Sequence, residues 1–430
     1  MKKTYLFLQG PHGPFFKELG QKLRAQGDGV LRVNFNGGDW VDWRGGDVIN
    51  FTGSQEQWSR FIFKLYKKHQ ITDIILYGDC RSLHQVAIER AKTAGVVVHV
   101  FEEGYIRPNW ITYEQDGVNG NSSLMQDREQ FFRQSTQIDD LPLERTEKVG
   151  PSTRWILFYC LRYYLFKSLL RKRFRQYILH RPYRPHQELL LWIGNILHMP
   201  LLFKRTSRRR NRLFQSGKPY YLVCLQLDSD AQLKVHSKYL SVADFTNAVL
   251  RSFAQYAPPN SLLVFKKHPF DPGAIPYETL IRLEAYSLGI RDRVVFLHSG
   301  NLPELIRQSE GVVLMNSTVG TSAIHHGKPT IVLGDAIYDM PGLTCQKGLS
   351  RFWKEGSVPD MNLYRNFRSV LFKKTLVHGG FYSRHGRAFA LKGVLSKLEK
   401  IKAQPQPEKQ QKKVFALHES YQPGFKKFTS

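Results

Sequence analysis

Short apolar runs recur along the first 120 residues, separated by segments with helical spacing. The runs Thr4–Leu8, Val30–Asn34, Asp73–Leu76 and Val96–Phe101 read as buried strands. Phe15–Arg24 and Gln57–Lys68 between them read as amphipathic helices. Strands alternating with helices predict βαβ units and a parallel sheet. Each run stops at glycine or polar residues: Gln9-Gly10-Pro11-His12-Gly13, Asn36-Gly37-Gly38-Asp39, Gly78-Asp79 and Glu102-Glu103-Gly104. The same rhythm returns from about residue 219. Its strands are Tyr220–Gln226, Leu262–Lys266, Val294–Leu297, Gly311–Leu314 and Thr330–Val332, with helices such as Val242–Tyr256 and Leu302–Gln308. The pattern predicts an α/β chain with two Rossmann-like domains facing a cleft, the GT-B arrangement of glycosyltransferases.

Residues 151–215 break the rhythm. Trp155–Leu170 is apolar and aromatic, and a second apolar stretch covers Leu189–Leu202. Arg171-Lys172-Arg173, Lys204-Arg205 and Arg208-Arg209-Arg210 follow or flank them. A basic helix pair with leucine and aromatic faces suits an anionic lipid surface; the plainer alternative is a packed linker with solvated charges. The domain reading is therefore 1–150, an N-terminal acceptor domain; 151–215, a basic membrane-facing segment; 216–385, a C-terminal nucleotide-sugar domain; 386–402, a terminal helix built around Leu391–Ile401; and 403–430, a polar, Pro-containing tail expected to be disordered.

The chain has 430 residues and a net charge of +27, from 63 Lys and Arg against 36 Asp and Glu. That surplus favours an anionic partner. Nucleic acid is disfavoured, because no RNP-like, finger or helix-turn-helix signature accompanies the charge. The four cysteines, Cys80, Cys160, Cys224 and Cys345, show neither metal nor disulfide spacing, which fits a reducing compartment. Met1-Lys2-Lys3 precedes too short an apolar run for a signal peptide, and no window is apolar enough to span a bilayer. The expected location is cytoplasmic, with contact to a membrane surface.

Ligands in open α/β sheets sit beyond the carboxyl ends of strands. Two such ends in the second half suit a nucleotide. One carries Lys267-His268-Pro269, the other Asn316-Ser317-Thr318 before a short helix. His268 can bond a phosphate, Ser317 and Thr318 offer hydroxyls, and amides at a helix start favour an anion. Taken singly, His-Pro is a common loop and Ser-Thr a common N-cap; together they point to a donor site. Two carboxylates are the usual apparatus of glycosyl transfer. Glu102 and Glu103 are adjacent acids at one strand end, where mutual repulsion is expected to raise one pKa; their alternative is a capped turn. Gln226-Leu227-Asp228-Ser229-Asp230 follows another strand, with an Asx turn as its alternative. Asp228-Ser229-Asp230 has the spelling of a metal-binding pair, but it stands apart from the phosphate motifs, so no metal or other cofactor is expected.

Six stretches together resemble the capsule polysaccharide biosynthesis/export family of Gram-negative bacteria, and within it the single-module β-Kdo transferases of group 2-type capsules (Kdo is 3-deoxy-D-manno-oct-2-ulosonic acid). They are Leu6–Phe16, Asn34–Asp39, Phe101–Pro108, Gln226–Asp230, Lys267–Pro269 and Asn316–Gly320. The resemblance implies a retaining transferase that uses CMP-β-Kdo. It implies a nucleophilic carboxylate at Asp230 and a catalytic glutamate at Glu102, with Glu103 as the neighbouring choice. It implies that His268, Ser317 and Thr318 hold the CMP phosphate and ribose. The acceptor would be a phosphatidylglycerol-type lipid, starting the lipid-linked portion of a capsule, with a capsule assembly or export complex as a partner. The alternatives are another CMP-sugar transferase of sialyl type and a non-enzymatic export factor.

Overall fold

A computed structural model describes residues 2–128, 131, 147, 149–150, 152–177, 185–228, 235, 237 and 239–403. The expected tail after 403 and Asp230 lie outside these residues. The first sheet has seven strands. They are β1 (Thr4–Phe7), β2 (Gly29–Asn34), β3 (Val48–Asn50), β4 (Asp73–Tyr77), β5 (Val97–Glu103), β6 (Trp110–Gln115) and β12 (Leu376–His378), in the order β12-β6-β5-β4-β1-β2-β3. From β3 to β5 the pairing is parallel; β6 is antiparallel to both its neighbours. Helices α1 (Phe15–Ala25), α2 (Gly37–Asp42), α3 (Gln55–Lys68) and α4 (Ser82–Ala94) complete the first unit. Trp58, Ile62 and Leu65 of α3 and Ala87 and Ala91 of α4 pack on one face against Leu6, Ile74 and Val98. Phe15, Phe16 and Leu19 of α1 cover the other face.

The second sheet is wholly parallel, in the order β11-β10-β7-β8-β9. Its strands are β7 (Tyr220–Cys224), β8 (Leu262–Lys266), β9 (Val294–Leu297), β10 (Gly311–Leu314) and β11 (Thr330–Val332). Within each unit the first strand is central, the next two lie to one side and the fourth and fifth to the other. This is the Rossmann order, and it places a switch point between β1 and β4 in one unit and between β7 and β10 in the other. Helices α7 (Val242–Tyr256), α8 (Tyr277–Ser287) and α11 (Leu349–Glu355) cover one face through Phe245, Val249, Phe253, Ile281 and Trp353. The short helices α9 (Leu302–Gln308) and α10 (Val319–His325) cover the other.

The two units are fastened together. Tyr105 and Leu124 of the first share one buried apolar cluster with Ile324, Tyr338, Tyr364 and Phe367 of the second. Tyr364 and Phe367 lie on α12 (Met361–Lys374), after which the chain re-enters the first sheet as β12. The last helix, α13 (Arg384–Ala403), packs Ala390, Leu391 and Val394 on the first unit. The second unit was expected to run to 385. Its chain instead leaves at α12, because Leu376 and Val377 gain strand partners on β6. The two units face a cleft at their carboxyl strand ends, as the GT-B arrangement requires.

The basic segment forms α5 (Thr153–Leu169) and α6 (Pro185–Gln215), which pack on each other. Helix α5 also seats on α2. A Cβ on Gly37 would lie 2.1 Å from the Phe166 carbonyl oxygen, and one on Gly38 2.5 Å from the Tyr163 ring. Those glycines therefore exist to let α5 approach. Among the described residues, no helix is long and apolar enough to cross a membrane.

Phe367 has no exposure and sits at the centre of the inter-unit cluster. Phe367→Ala is expected to cost about 3–5 kcal/mol of stability, the usual range for emptying a buried aromatic site. Val358→Ala, at an exposed position, should stay within about 0.5 kcal/mol. Urea denaturation checks both, and equal midpoints would contradict this account of the junction.

Candidate functional site

A cavity of about 690 Å³ opens between the units at their carboxyl strand ends. Glu102 and Glu103 line one wall; Gln226, Lys267, His268, Pro269, Asn316, Ser317 and Thr318 line the other. Every sequence-predicted site residue except Asp230 is thus in one cavity, and Asp230 lies outside the described residues.

The second wall is built across the switch point. The Gln226 amide donates to Asn316 Oδ1 at 2.8 Å, and the Asn316 backbone N–H donates to Gln226 Oε1 at 3.1 Å. This reciprocal pair ties the end of β7 to the end of β10, so Gln226 and Asn316 are positioning residues. The Ser317-Thr318 turn differs from the expectation of free helix amides. The Val319 N–H already donates to Ser317 Oγ at 3.3 Å, and the Gly320 N–H donates to the Ser317 carbonyl at 3.0 Å. The Ser317 hydroxyl hydrogen is left to donate. The turn is pinned from beneath by Tyr338, whose hydroxyl donates to the Ser317 carbonyl. Gly320 makes room for that tyrosine: a Cβ there would fall 2.2 Å from the ring.

His268 follows β8, and its Nδ1 accepts the Phe270 backbone N–H at 3.1 Å. That bond fixes the tautomer, leaving Nε2–H as a donor. Burial, helped by the nearby Lys266 and Arg107 charges, lowers the imidazole pKa to about 4. At neutral pH His268 is an uncharged hydrogen-bond donor, not the cationic half of an ion pair.

The paired glutamates share a partner. Glu103 Oε1 accepts the Tyr382 hydroxyl at 2.8 Å and the Tyr77 hydroxyl at 3.5 Å. The Glu102 carboxylate also bonds Tyr77, and its Oε1 accepts the Glu103 backbone N–H at 3.0 Å. Gly78, at φ +71°, lets it in, since a Cβ there would lie 3.3 Å from Glu102 Oε2. Glu103 is held by two tyrosine hydroxyls and Glu102 by one of them, and both carboxylates line the cleft. Asp228 is also structural. Its Oδ1 accepts the Val242 N–H at 3.3 Å, capping the start of α7, and its Oδ2 accepts the Tyr277 hydroxyl. Both oxygens therefore serve packing partners.

Sequence reasoning missed three cations in this cavity, Arg107, Lys266 and Arg368. Lys266 is buried and donates to the Lys267 carbonyl at 3.1 Å. Arg107 donates to the Gly104 carbonyl at 3.3 Å. The Arg368 guanidinium lies 5.5 Å from the Tyr364 ring centre and 5.9 Å from that of Phe372, and its Nε has no partner among the described residues. Burial lowers the pKa of both Lys266 and Arg368. None of the three forms an ion pair among the described residues, although Glu102, Glu103 and Asp335 line the same cavity. Arg368 carried no local signal, because it lies in an ordinary helix that only the tertiary fold brings to the cleft.

The Gln9 and Asn36 motifs lie at the same sheet edge but serve the scaffold. Gln9 Nε2 donates to Asp39 Oδ2 at 3.0 Å, and Asn36 Nδ2 donates to the Tyr163 hydroxyl at 2.9 Å. Tyr163 in turn donates to Asp39 Oδ1 at 3.1 Å. This buried network locks α5 to the first unit. Helix α6 is locked to the second: Arg209 pairs with Glu278 at 2.8 Å and donates to the Phe296 carbonyl at 3.0 Å. Arg210 lies 4.0 Å from Glu304. Of the Arg208–Arg210 run, only Arg208 is exposed.

The lowered pKa of His268 has a stability consequence. The unfolded ring takes a proton near pH 6.5, the folded ring only near 4. Its contribution is present above pH 6.5 and is lost as pH falls toward 4. His268→Gln should flatten that part of the acid-denaturation profile. Proton–nitrogen NMR of the wild type should show an Nε2–H tautomer down to about pH 5; a ring that titrates near 6.5 would contradict the assignment.

The pattern described as "Capsule polysaccharide biosynthesis protein" matches residues 72–382. The chain is 37% identical over 382 residues to the capsule polysaccharide export protein KpsS of Escherichia coli, covering 88% of this chain and 97% of that one. It is 32% identical over 389 residues to the capsule polysaccharide modification protein LipB of Neisseria meningitidis serogroup A, covering 89% and 92%. Among solved structures, the Thermosulfurimonas dismutans KpsC β-Kdo 2,7 transferase aligns over 93% of this chain and 100% of its own, at 16% identity and a TM-score of 0.46. The cleft described above thus sits inside the matched region, and the chain belongs to the capsule polysaccharide biosynthesis family.

Proposed function

We propose that this protein is a glycosyltransferase that moves Kdo from CMP-β-Kdo to a phosphatidylglycerol-type lipid, with retention at the anomeric carbon. The observation that carries this reading is the meeting of Glu102, His268 and the Ser317 turn in one cavity with Arg107, Lys266 and Arg368, none of which forms an ion pair among the described residues. A CMP-ulosonic acid brings two negative groups, a phosphodiester and a carboxylate on the anomeric carbon. The His268 Nε2–H, the Ser317 hydroxyl, Lys266 and Arg107 suit the phosphodiester. Arg368, rigid between two aromatic rings, suits the carboxylate. Charge-assisted bonds of this kind are worth roughly twice neutral ones. With that much fixed positive charge at the phosphate, no metal is required, and transfer should survive EDTA.

Retention follows from two displacements. The Asp230 carboxylate attacks the anomeric carbon, the bond to the phosphate oxygen breaks, and CMP leaves with the electron pair. The acceptor hydroxyl then attacks the same carbon. Glu102 takes its proton, and Asp230 departs as a carboxylate. The exposed leucines and arginines of α5 and α6 support work at an anionic membrane surface on the inner face of the inner membrane, where the product would pass to capsule assembly.

Asp230→Asn should abolish transfer while CMP binding survives. Glu102→Gln should slow the second displacement and let a Kdo-protein adduct accumulate, seen by intact-protein mass spectrometry with CMP-Kdo. An adduct on a residue other than Asp230, or robust transfer by Asp230→Asn, would overturn the mechanism. His268→Ala should weaken CMP binding about 10- to 100-fold, the value of a hydrogen bond to a charged group, roughly 1.5–3 kcal/mol. Unchanged affinity by calorimetry would remove His268 from the donor site.

Vesicle binding gives a separate test. Lys204, Arg205, Arg208 and Arg212 are exposed, whereas Arg209 and Arg210 hold the fold together. Reversing the four exposed charges to Glu should abolish salt-sensitive sedimentation with anionic vesicles, since each contributes about 1 kcal/mol near such a surface. Equal sedimentation of the wild type with neutral and anionic vesicles would contradict the membrane reading.

A further inference from the structure

A second cavity of about 830 Å³ lies between α6 and the loop that follows the His268 motif. Leu190, Gly194 and Leu201 form its helical wall; Pro272, Ile275 and Phe296 face them. Its size is that of a ligand site, about 300–1,000 Å³. The charged side chains along it are already paired: Lys267 with Asp271 at 3.8 Å, and Glu278 with His298 at 2.7 Å. A peptide backbone would find few partners here for its N–H and C=O groups. An alkyl chain needs none.

Two further observations fix what the groove joins. Lys267 lines both this groove and the cleft, which places the groove next to the His268 wall. The helix of the groove also carries Leu197, Leu201 and Phe203 to the surface, 74%, 67% and 60% exposed. The exposed Lys204, Arg205 and Arg208 follow directly. An apolar face bordered by cations is the composition of a helix lying on anionic lipid. The groove therefore lies beside both a lipid-facing surface and the donor wall of the cleft.

We propose that this groove binds one acyl chain of the anionic lipid acceptor and carries its polar end past Lys267 to the reacting sugar. The inference rests on the lipid-acceptor reading above and adds the site that measures the chain. Each methylene held there should improve acceptor binding by about fourfold until the groove is full. The enzyme would thus select acceptors by chain length as well as by headgroup.

Gly194 offers a clean probe. A Cβ there meets nothing within 4 Å, so Gly194→Trp fills the groove without a clash at the backbone. The probes are lysophosphatidylglycerols of increasing chain length, used as monomers. Wild-type KM should fall at least tenfold from the shortest to the longest chain. Gly194→Trp should lose that dependence and keep the short-chain rate. An undiminished chain-length preference in Gly194→Trp, with transfer intact, would overturn the groove alone. A readout independent of transfer is photolabelling with a lysophosphatidylglycerol bearing a diazirine at the chain end. Label on Pro272–Pro276 that disappears in Gly194→Trp supports the site. Label absent from that loop, or unchanged in the variant, overturns it. Failure of transfer to every acceptor, with this labelling intact, would sink the transferase reading and leave the lipid groove standing.

Discussion

The cleft depends on one apolar junction. Tyr105 stands at the start of the turn between β5 and β6 on one side, and α10, α12 and the loop carrying Tyr338 meet it from the other. Polar bonds set the register of this contact. Thr321 Oγ1 donates to the Tyr105 carbonyl at 2.8 Å, and the Tyr364 hydroxyl donates to the Thr321 carbonyl at 3.0 Å. The same junction positions both walls. Tyr338, buried in it, holds the Ser317 turn, while Tyr105 lies three residues from Glu102. The Tyr105 hydroxyl donates to Glu114 Oε1 at 2.6 Å and accepts the Asn119 N–H at 2.6 Å. Burial raises the Glu114 carboxyl to about 7, so this support is uncharged in part at neutral pH. Packed interfaces of this kind resist gradual deformation, which suits a site that must hold two walls in fixed relation.

Charge is the second organising feature. The net positive balance of the chain divides into cations that are spent on structure and cations that are left over. Arg209, Arg210 and Arg162 are spent; they fasten α6 and α5 through Glu278, Glu304 and Asp42. Arg107, Lys266 and Arg368 are left over and all line the cleft. Lys266 is buried and Arg368 half-buried; a desolvated cation with no carboxylate partner among the described residues is costly, and a bound anion would offset that cost. The position of these two side chains is therefore an argument for an anionic ligand that does not rest on resemblance.

Much of this was legible in the sequence. Apolar runs located nine of the twelve strands among the described residues, and polar residues at their ends marked the cavity walls, because parallel strands put their carboxyl ends on one edge. Three strands escaped. On β6, Thr112 and Glu114 are polar yet buried, so the alternation that signals a half-exposed strand is missing. Strands β3 and β12 are three residues each and exist only through their neighbours. Glu102 and Glu103 share Tyr77, a contact that the sequence does not report because that tyrosine lies on another strand. The basic run at 208–210 misled, since composition does not say which arginine meets a glutamate. Arg368 and the groove beside α6 depend on contacts between elements far apart in the chain, and no local pattern reports them.

The most direct test of the account is to identify the product. Purified protein, CMP-Kdo and a monomeric lysophosphatidylglycerol would be incubated in EDTA, and the lipid product analysed by NMR. The account predicts CMP release matched by one class of glycolipid with Kdo in the β configuration. An α-linked product would refute retention. Complete absence of transfer from CMP-Kdo, with the protein folded and binding CMP, would contradict the central claim.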